Sequence, residues 1–174
     1  HRFCYTVAVD PHDPTGDTVY AGTGGPDNAD EQGGIFITRD GGTTWNPVSL
    51  RDDVAWNNFW KIVCNPGKAG EIWIANRKSY LSPDGMIIVS PDNGVSWWYW
   101  TAAYWPEDNT YYLFGYIDEL AVNPEDPLKI FAAGQYGIAR KPDGSNLNTH
   151  WIWTSLNDPC RALCIPPSEP GTLY

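Results

Sequence analysis

The chain has 174 residues, enough for one domain with a substantial core, and carries a formal net charge of −10 with a sequence pI of about 4.5. That balance argues against nucleic acid or an anionic membrane as the main partner, and no apolar run approaches the ~20 residues of a membrane span. Ten Trp and ten Tyr exceed what packing usually requires, while 17 Gly and 15 Pro fit an all-β chain with many turns.

Val7-Ala8-Val9-Asp10-Pro11 reads as a strand stopped by an Asp-Pro turn. Asp-Pro and Asn-Pro initiate turns, and proline cannot donate to a central ladder. Thr18-Val19-Tyr20-Ala21 is the strand that follows, and Gly34-Ile35-Phe36-Ile37 is a third. The third runs into Thr38-Arg39-Asp40-Gly41-Gly42-Thr43-Thr44-Trp45. This is a hairpin turn in which aspartate accepts from backbone N–H groups of its own turn and glycine supplies positive φ. A fourth strand starts at the tryptophan.

The same order returns in Ile62-Val63-Cys64-Asn65-Pro66, Glu71-Ile72-Trp73-Ile74, Met86-Ile87-Ile88-Val89 and Ser90-Pro91-Asp92-Asn93-Gly94-Val95-Ser96-Trp97. It returns again in Leu120-Ala121-Val122-Asn123-Pro124 and Lys129-Ile130-Phe131-Ala132, followed by a worn turn around Asp143 with Trp151 in the tryptophan slot. There Lys141 replaces the hydroxyl residue, Ser145 replaces the glycine and the spacing is longer, so a looser turn is expected. Leu163-Cys164-Ile165-Pro166 and Thr172-Leu173-Tyr174 begin a fourth copy. The period of about 50 residues means a repeat architecture, and four antiparallel strands per unit mean propeller blades. No segment holds a helical apolar period over three turns. The expected fold is all-β: a partial β-propeller of four-stranded antiparallel blades, about three blades plus two strands. The blades span about 3–50, 58–103 and 115–157, with a partial blade at 158–174. Propellers typically close with 4–8 blades, so the chain is a piece of something longer, or another copy completes the ring through its open blade edges, or the first and last strands combine into one blade.

The turns share the pattern hydroxyl-x-Asp-x-Gly-x-hydroxyl-Trp, which resembles the Asp-box (BNR) repeat of β-propellers. It is similar to the propellers of the Vps10/sortilin group, of xyloglucanase-type glycoside hydrolases and of the photosystem assembly factor type. The resemblance implies structural roles for Thr38, Asp40, Gly42, Trp45, Ser90, Asp92, Gly94, Trp97, Asp143 and Trp151. It implies the fold more than the function, because this repeat serves enzymes, receptors and assembly factors alike.

In such blades the Asp-centred and Asn/Asp-Pro turns share one face. The long connections, residues 24–33, 50–58, 76–85 and 101–115, fall on the other, where binding residues concentrate. They carry Trp56, Tyr80, Tyr104, Trp105, Tyr111 and Tyr112, with Trp60 just beyond, and acids that include Asp52 and Asp53. Flat aromatic faces suit the apolar faces of sugar rings and carboxylates suit ring hydroxyls. The alternative is that the aromatics pack between blades and the acids are solvated. Asp118 and Glu119 open a strand near the central channel and are the candidates for catalysis, since glycoside hydrolysis needs two carboxylates. The arginines are scattered, which disfavours sialidase chemistry. His1, His12 and His150 stand far apart and suggest no metal, and no cofactor is expected. Cys4, Cys64, Cys160 and Cys164 form either two disulfides or four half-buried thiols.

Three functions stay open. One is a secreted polysaccharide-binding or polysaccharide-cleaving propeller, a glycoside hydrolase of the xyloglucanase type if it is an enzyme. Another is a non-enzymatic scaffold or receptor-like propeller with a protein ligand. The third is an extracellular structural subunit that self-assembles. The family resemblance and the cysteine content imply an extracellular or cell-surface protein.

Overall fold

The computed structural model describes residues 3–25, 33–49, 58–77, 85–156, 158–166, 168–169 and 171–174. Among them the regular structure is entirely β. The first sheet has the order β1 (Phe3–Val9), β2 (Val19–Gly24), β3 (Ile35–Thr38), β4 (Asn46–Pro47). The second runs β5 (Asn58–Cys64), β6 (Ile72–Arg77), β7 (Ile87–Ser90), β8 (Trp98–Trp100). Both are antiparallel meanders in sequence order.

The third sheet repeats the meander with β11 (Ile117–Val122), β12 (Ile130–Gly134), β13 (Gly137–Lys141) and β14 (Trp151–Leu156), then adds two strands outside it. These are β9 (Ala102–Trp105), parallel to β14, and β10 (Thr110–Leu113), antiparallel to β9. Residues 101–115 are therefore not a loop on the face opposite the Asp-centred turns, as the sequence suggested. They form a hairpin on the outer edge of the third blade. Tyr104, Trp105, Tyr111 and Tyr112 are strand residues, and a period-2 run this short is easily read as part of a loop. Beyond the third sheet, Cys164 and Tyr174 exchange both backbone hydrogen bonds at 2.8 and 2.9 Å, which starts a further antiparallel pair.

The packing explains the composition of the strands. Ile72, Ile74 and Ile88 of the second sheet, with Phe59 and Ile62 of its first strand, pack against Tyr20, Ile35 and Ile37 of the first sheet. The alternate residues, Trp73, Ala75, Ile87 and Val89, face the third with Phe114, Leu120, Ile130, Trp151 and Trp153. A strand buried on both faces has no polar face to show, so β6 and β7 read as continuous apolar runs. Trp73 stacks on Trp100 with ring centroids 5.9 Å apart, and Trp151 meets both edge-on. On β1, Val7 and Val9 stand exposed, on the side away from Thr6, whose hydroxyl accepts from Ile62 N of β5 at 3.2 Å.

The two Asp-centred turns are alike atom for atom. Asp40 accepts from Thr38 Oγ1 at 2.7 Å, Thr44 N at 2.9 Å and Thr44 Oγ1 at 2.6 Å, and Thr38 Oγ1 accepts from Gly42 N at 2.9 Å. Asp92 has the same partners in Ser90, Ser96 N and Ser96 Oγ, and Ser90 Oγ accepts from Gly94 N at 2.7 Å. Gly42 and Gly94 sit at φ of 91° and 88°, where a side chain would be strained. Trp97 donates its indole N–H to Ser49 O of the preceding blade at 3.0 Å, while Trp45 is largely exposed. In the third turn the Asp143 carboxylate accepts from Ser145, through its N–H at 2.9 Å and its hydroxyl at 2.6 Å. Lys141, buried where the others have a hydroxyl, donates to Thr149 O and lies 4.2 Å from the Trp100 ring.

Candidate functional site at the inner strands

The inner strands β1, β5 and β11 lie side by side, and together with residues 163–165 they line an open groove of about 510 Å³. Each inner strand carries a bulge at the same point of its ladder with the next strand. The register shifts between Cys4 and Thr6, between Phe59 and Lys61, and between Ile117 and Glu119. The bulged residues are therefore equivalent: Tyr5, Trp60 and Asp118. A bulge re-aims the side chain it carries, and it recurs at functional rims. The next residues, Thr6, Lys61 and Glu119, are equivalent as well.

The bulges bring these side chains together. Tyr5 and Trp60 lie with ring centroids 4.8 Å apart, tilted by 34°, and Phe3 flanks Tyr5 at 6.3 Å. Tyr5 donates its hydroxyl to Gly25 O at 3.4 Å. Lys61 Nζ lies 2.7 Å from Glu119 Oε1 across β5 and β11, with both side chains half-buried. The result is a leaning aromatic pair, one ion pair and the bulged Asp118 at equivalent positions of three neighbouring strands. Trp60, Asp118 and Glu119 were readable as candidates in the sequence. Tyr5 was not; the signal that finds it is its alignment with Trp60 in the repeat.

The other candidates are elsewhere. Tyr104 and Tyr111 share one face of the outer hairpin, and Trp105 and Tyr112 the other. Trp105 packs against the core between the second and third blades, and Tyr112 donates its hydroxyl to Asp108. Trp56, Tyr80, Asp52 and Asp53 lie outside the described residues. The carboxylates of Asp40, Asp92 and Asp143 are occupied by their own turns. Hydrogen bonds from Thr44 hold Asp40 down at about 2, and those from Ser96 and Ser145 lower Asp92 and Asp143.

The four cysteines are free thiols, so the disulfides open from sequence are not formed. Cys4 and Cys160 donate to the carbonyls of Thr6 and Ala162, each two residues away on its own segment. Burial pushes the Cys64 thiol up to about 12. Among the described residues no group of three His, Cys, Asp or Glu could hold a metal, and no helix is long and apolar enough to cross a membrane.

Successive four-stranded antiparallel sheets, packed face to face with their first strands along a common groove, define a segment of a β-propeller. The neighbours of known structure agree. A GH74 xyloglucanase from Xanthomonas campestris matches 90% of this chain and 24% of its own, with a TM-score of 0.63 and 15% identity. YCF48 bound to a peptide matches 97% of this chain and 49% of its own, with a TM-score of 0.55 and 19% identity. At such identities the likeness shows the fold. In sequence, the oligoxyloglucan-reducing end-specific xyloglucanase of Emericella nidulans is 30% identical over 97 residues, 53% of this chain and 11% of that enzyme. The chain thus spans about a tenth of that relative's length. No protein-family model matches the chain.

Proposed function

We propose that this chain is an Asp-box propeller segment that binds a neutral polysaccharide of the xyloglucan class at the bulged ends of its inner strands. The observation that carries this reading is the Tyr5–Trp60 ring pair on two neighbouring inner strands, with Asp118 at the equivalent bulge of the third and the Lys61–Glu119 pair one residue on. Aromatic faces take the apolar face of a pyranose ring, and the charged groups at the neighbouring strand positions take its hydroxyls. The net charge of −10 opposes an anionic polysaccharide. The substrate class comes from the xyloglucanase relative, and an extracellular or cell-surface location is part of the same proposal.

The reading is one of binding. Asp118 and Glu119 are consecutive on one strand, whereas a hydrolase sets its two carboxyl groups roughly 5–10 Å apart across the scissile bond. Glu119 is also engaged by Lys61. The test is calorimetric titration with a xyloglucan heptasaccharide. Trp60→Ala is expected to raise Kd at least about tenfold, roughly 1.4 kcal/mol. A Kd and a stoichiometry both unchanged in that variant would remove the site from consideration.

A further inference from the structure

The hairpin β9–β10 makes the third blade six strands wide, where the first two have four. Neighbouring strands are about 4.8 Å apart, so β10 lies roughly 24 Å from the inner strand β11, and the hairpin extends about 10 Å beyond the fourth strand. A four-stranded blade packed on this sheet would leave the hairpin uncovered. The face it leaves open is aromatic. Tyr104 and Tyr111 are directly opposed across the hairpin, with ring centroids 5.4 Å apart at 57°. The exposed ring of His150 meets Tyr111 edge-on at 5.1 Å.

This face is fixed rather than floppy. Tyr104 donates its hydroxyl to Asn109 Oδ1 at 2.6 Å, and Asn109 sits at a positive φ of 59° in the hairpin turn. Asp108 accepts from Thr110 N at 3.1 Å and from the hydroxyl of Tyr112. On the reverse face, Trp153 donates its indole N–H to Tyr112 O at 3.3 Å, and Trp105 packs on the core between blades. The half-exposed Tyr111 ring is thus presented beside a tilted Tyr104 that is fixed by its own hydrogen bond, rimmed by an imidazole, an amide and phenolic oxygens.

We infer that this face is a second carbohydrate site, remote from the inner strands, that takes a pyranose ring of a neutral β-linked glucan on Tyr111, braced by Tyr104, with His150 and Asn109 at the hydroxyls. The inference rests on the polysaccharide reading above. The hairpin lies roughly 20 Å from the inner strand of its own sheet, so the two sites are separate on the molecule, and a polymer that engages both gains from the high local concentration of the second site.

The test uses the whole chain and two probes, a xyloglucan heptasaccharide in calorimetry and soluble xyloglucan polymer in affinity electrophoresis. Tyr111 is half exposed, so Tyr111→Ala should leave the fold intact, with Tyr111→Phe as a control that keeps the ring. Two heptasaccharides per wild-type chain are expected, and one in each of Trp60→Ala and Tyr111→Ala. Tyr111→Phe should keep both. Retardation by the polymer should weaken about tenfold or more in either alanine variant. One heptasaccharide per wild-type chain, lost in Trp60→Ala and unchanged in Tyr111→Ala, would overturn the hairpin site and keep the inner one. Binding lost in Tyr111→Ala and unchanged in Trp60→Ala would keep the hairpin and overturn the inner site. No binding to either probe would overturn both.

Discussion

Lys141 is a lysine in a position built for a hydroxyl. Its side chain is 1% exposed, and its ammonium group donates to Thr149 O and faces the ring of Trp100. Burial lowers its pKa to about 8, against a partial opposing pull from Asp143. The unfolded chain keeps the lysine near 10.5. Between these values the unfolded state binds more protons than the folded one, so stability rises with pH across that window. Holding the lysine charged in the fold below pH 8 costs about 3 kcal/mol, from some two and a half pK units at 1.36 kcal/mol each. Lys141→Met keeps the length and the apolar stem and removes the charge. The lost hydrogen bond returns roughly 1–2 kcal/mol of that cost, so the variant should be more stable by about 1–2 kcal/mol at pH 7. Urea unfolding of both proteins at pH 7 and pH 10.5 measures this. The difference in stability should shift by about 3 kcal/mol in favour of the wild type between the two conditions. Tyrosine titration affects both proteins and cancels. A pH-independent difference, or a variant less stable by 1 kcal/mol or more at pH 7, would refute the reasoning.

Other outcomes follow from single positions. A Cβ on Gly134 would fall 1.8 Å from the backbone oxygen of Tyr116, which cannot move without breaking the β11–β12 ladder. Gly134→Ala should therefore unfold at a far lower urea midpoint than Gly171→Ala, whose Cβ meets nothing within 4 Å. Alkylation by iodoacetamide at pH 8, read by mass, should label the exposed Cys4 and Cys164 quickly and Cys64 only after denaturation. Asp40 is held at about 2 by Thr44, below its unfolded value, so its contribution is present above about pH 4 and is lost as pH falls toward 2. Acid unfolding of Asp40→Asn, followed by near-ultraviolet circular dichroism, should show a shallower loss than the wild type over that range.

The repeat made most of the fold legible. Asp10, Asn65 and Asn123 each accept a hydrogen bond from a backbone N–H two residues on, and this local chemistry is what the Asn/Asp-Pro pattern encodes. The Asp-centred turns are equally local. The outer hairpin was not legible, because it is specified by pairing with β14, a strand about 50 residues later in the chain. The inner site was half legible. Trp60 and the acidic pair announce themselves by residue type, but Tyr5 joins them only because all three inner strands bulge at one register. That register depends on cross-strand pairing, which no single strand's pattern contains.

The most direct test of carbohydrate binding at the inner strands is a nuclear magnetic resonance titration that follows the indole N–H signals as a xyloglucan heptasaccharide is added. The Trp60 signal should move and saturate with the ligand, while those of the buried Trp73 and Trp151 stay fixed. A saturating shift elsewhere with Trp60 unmoved, or no shift at any tryptophan, would contradict the assignment.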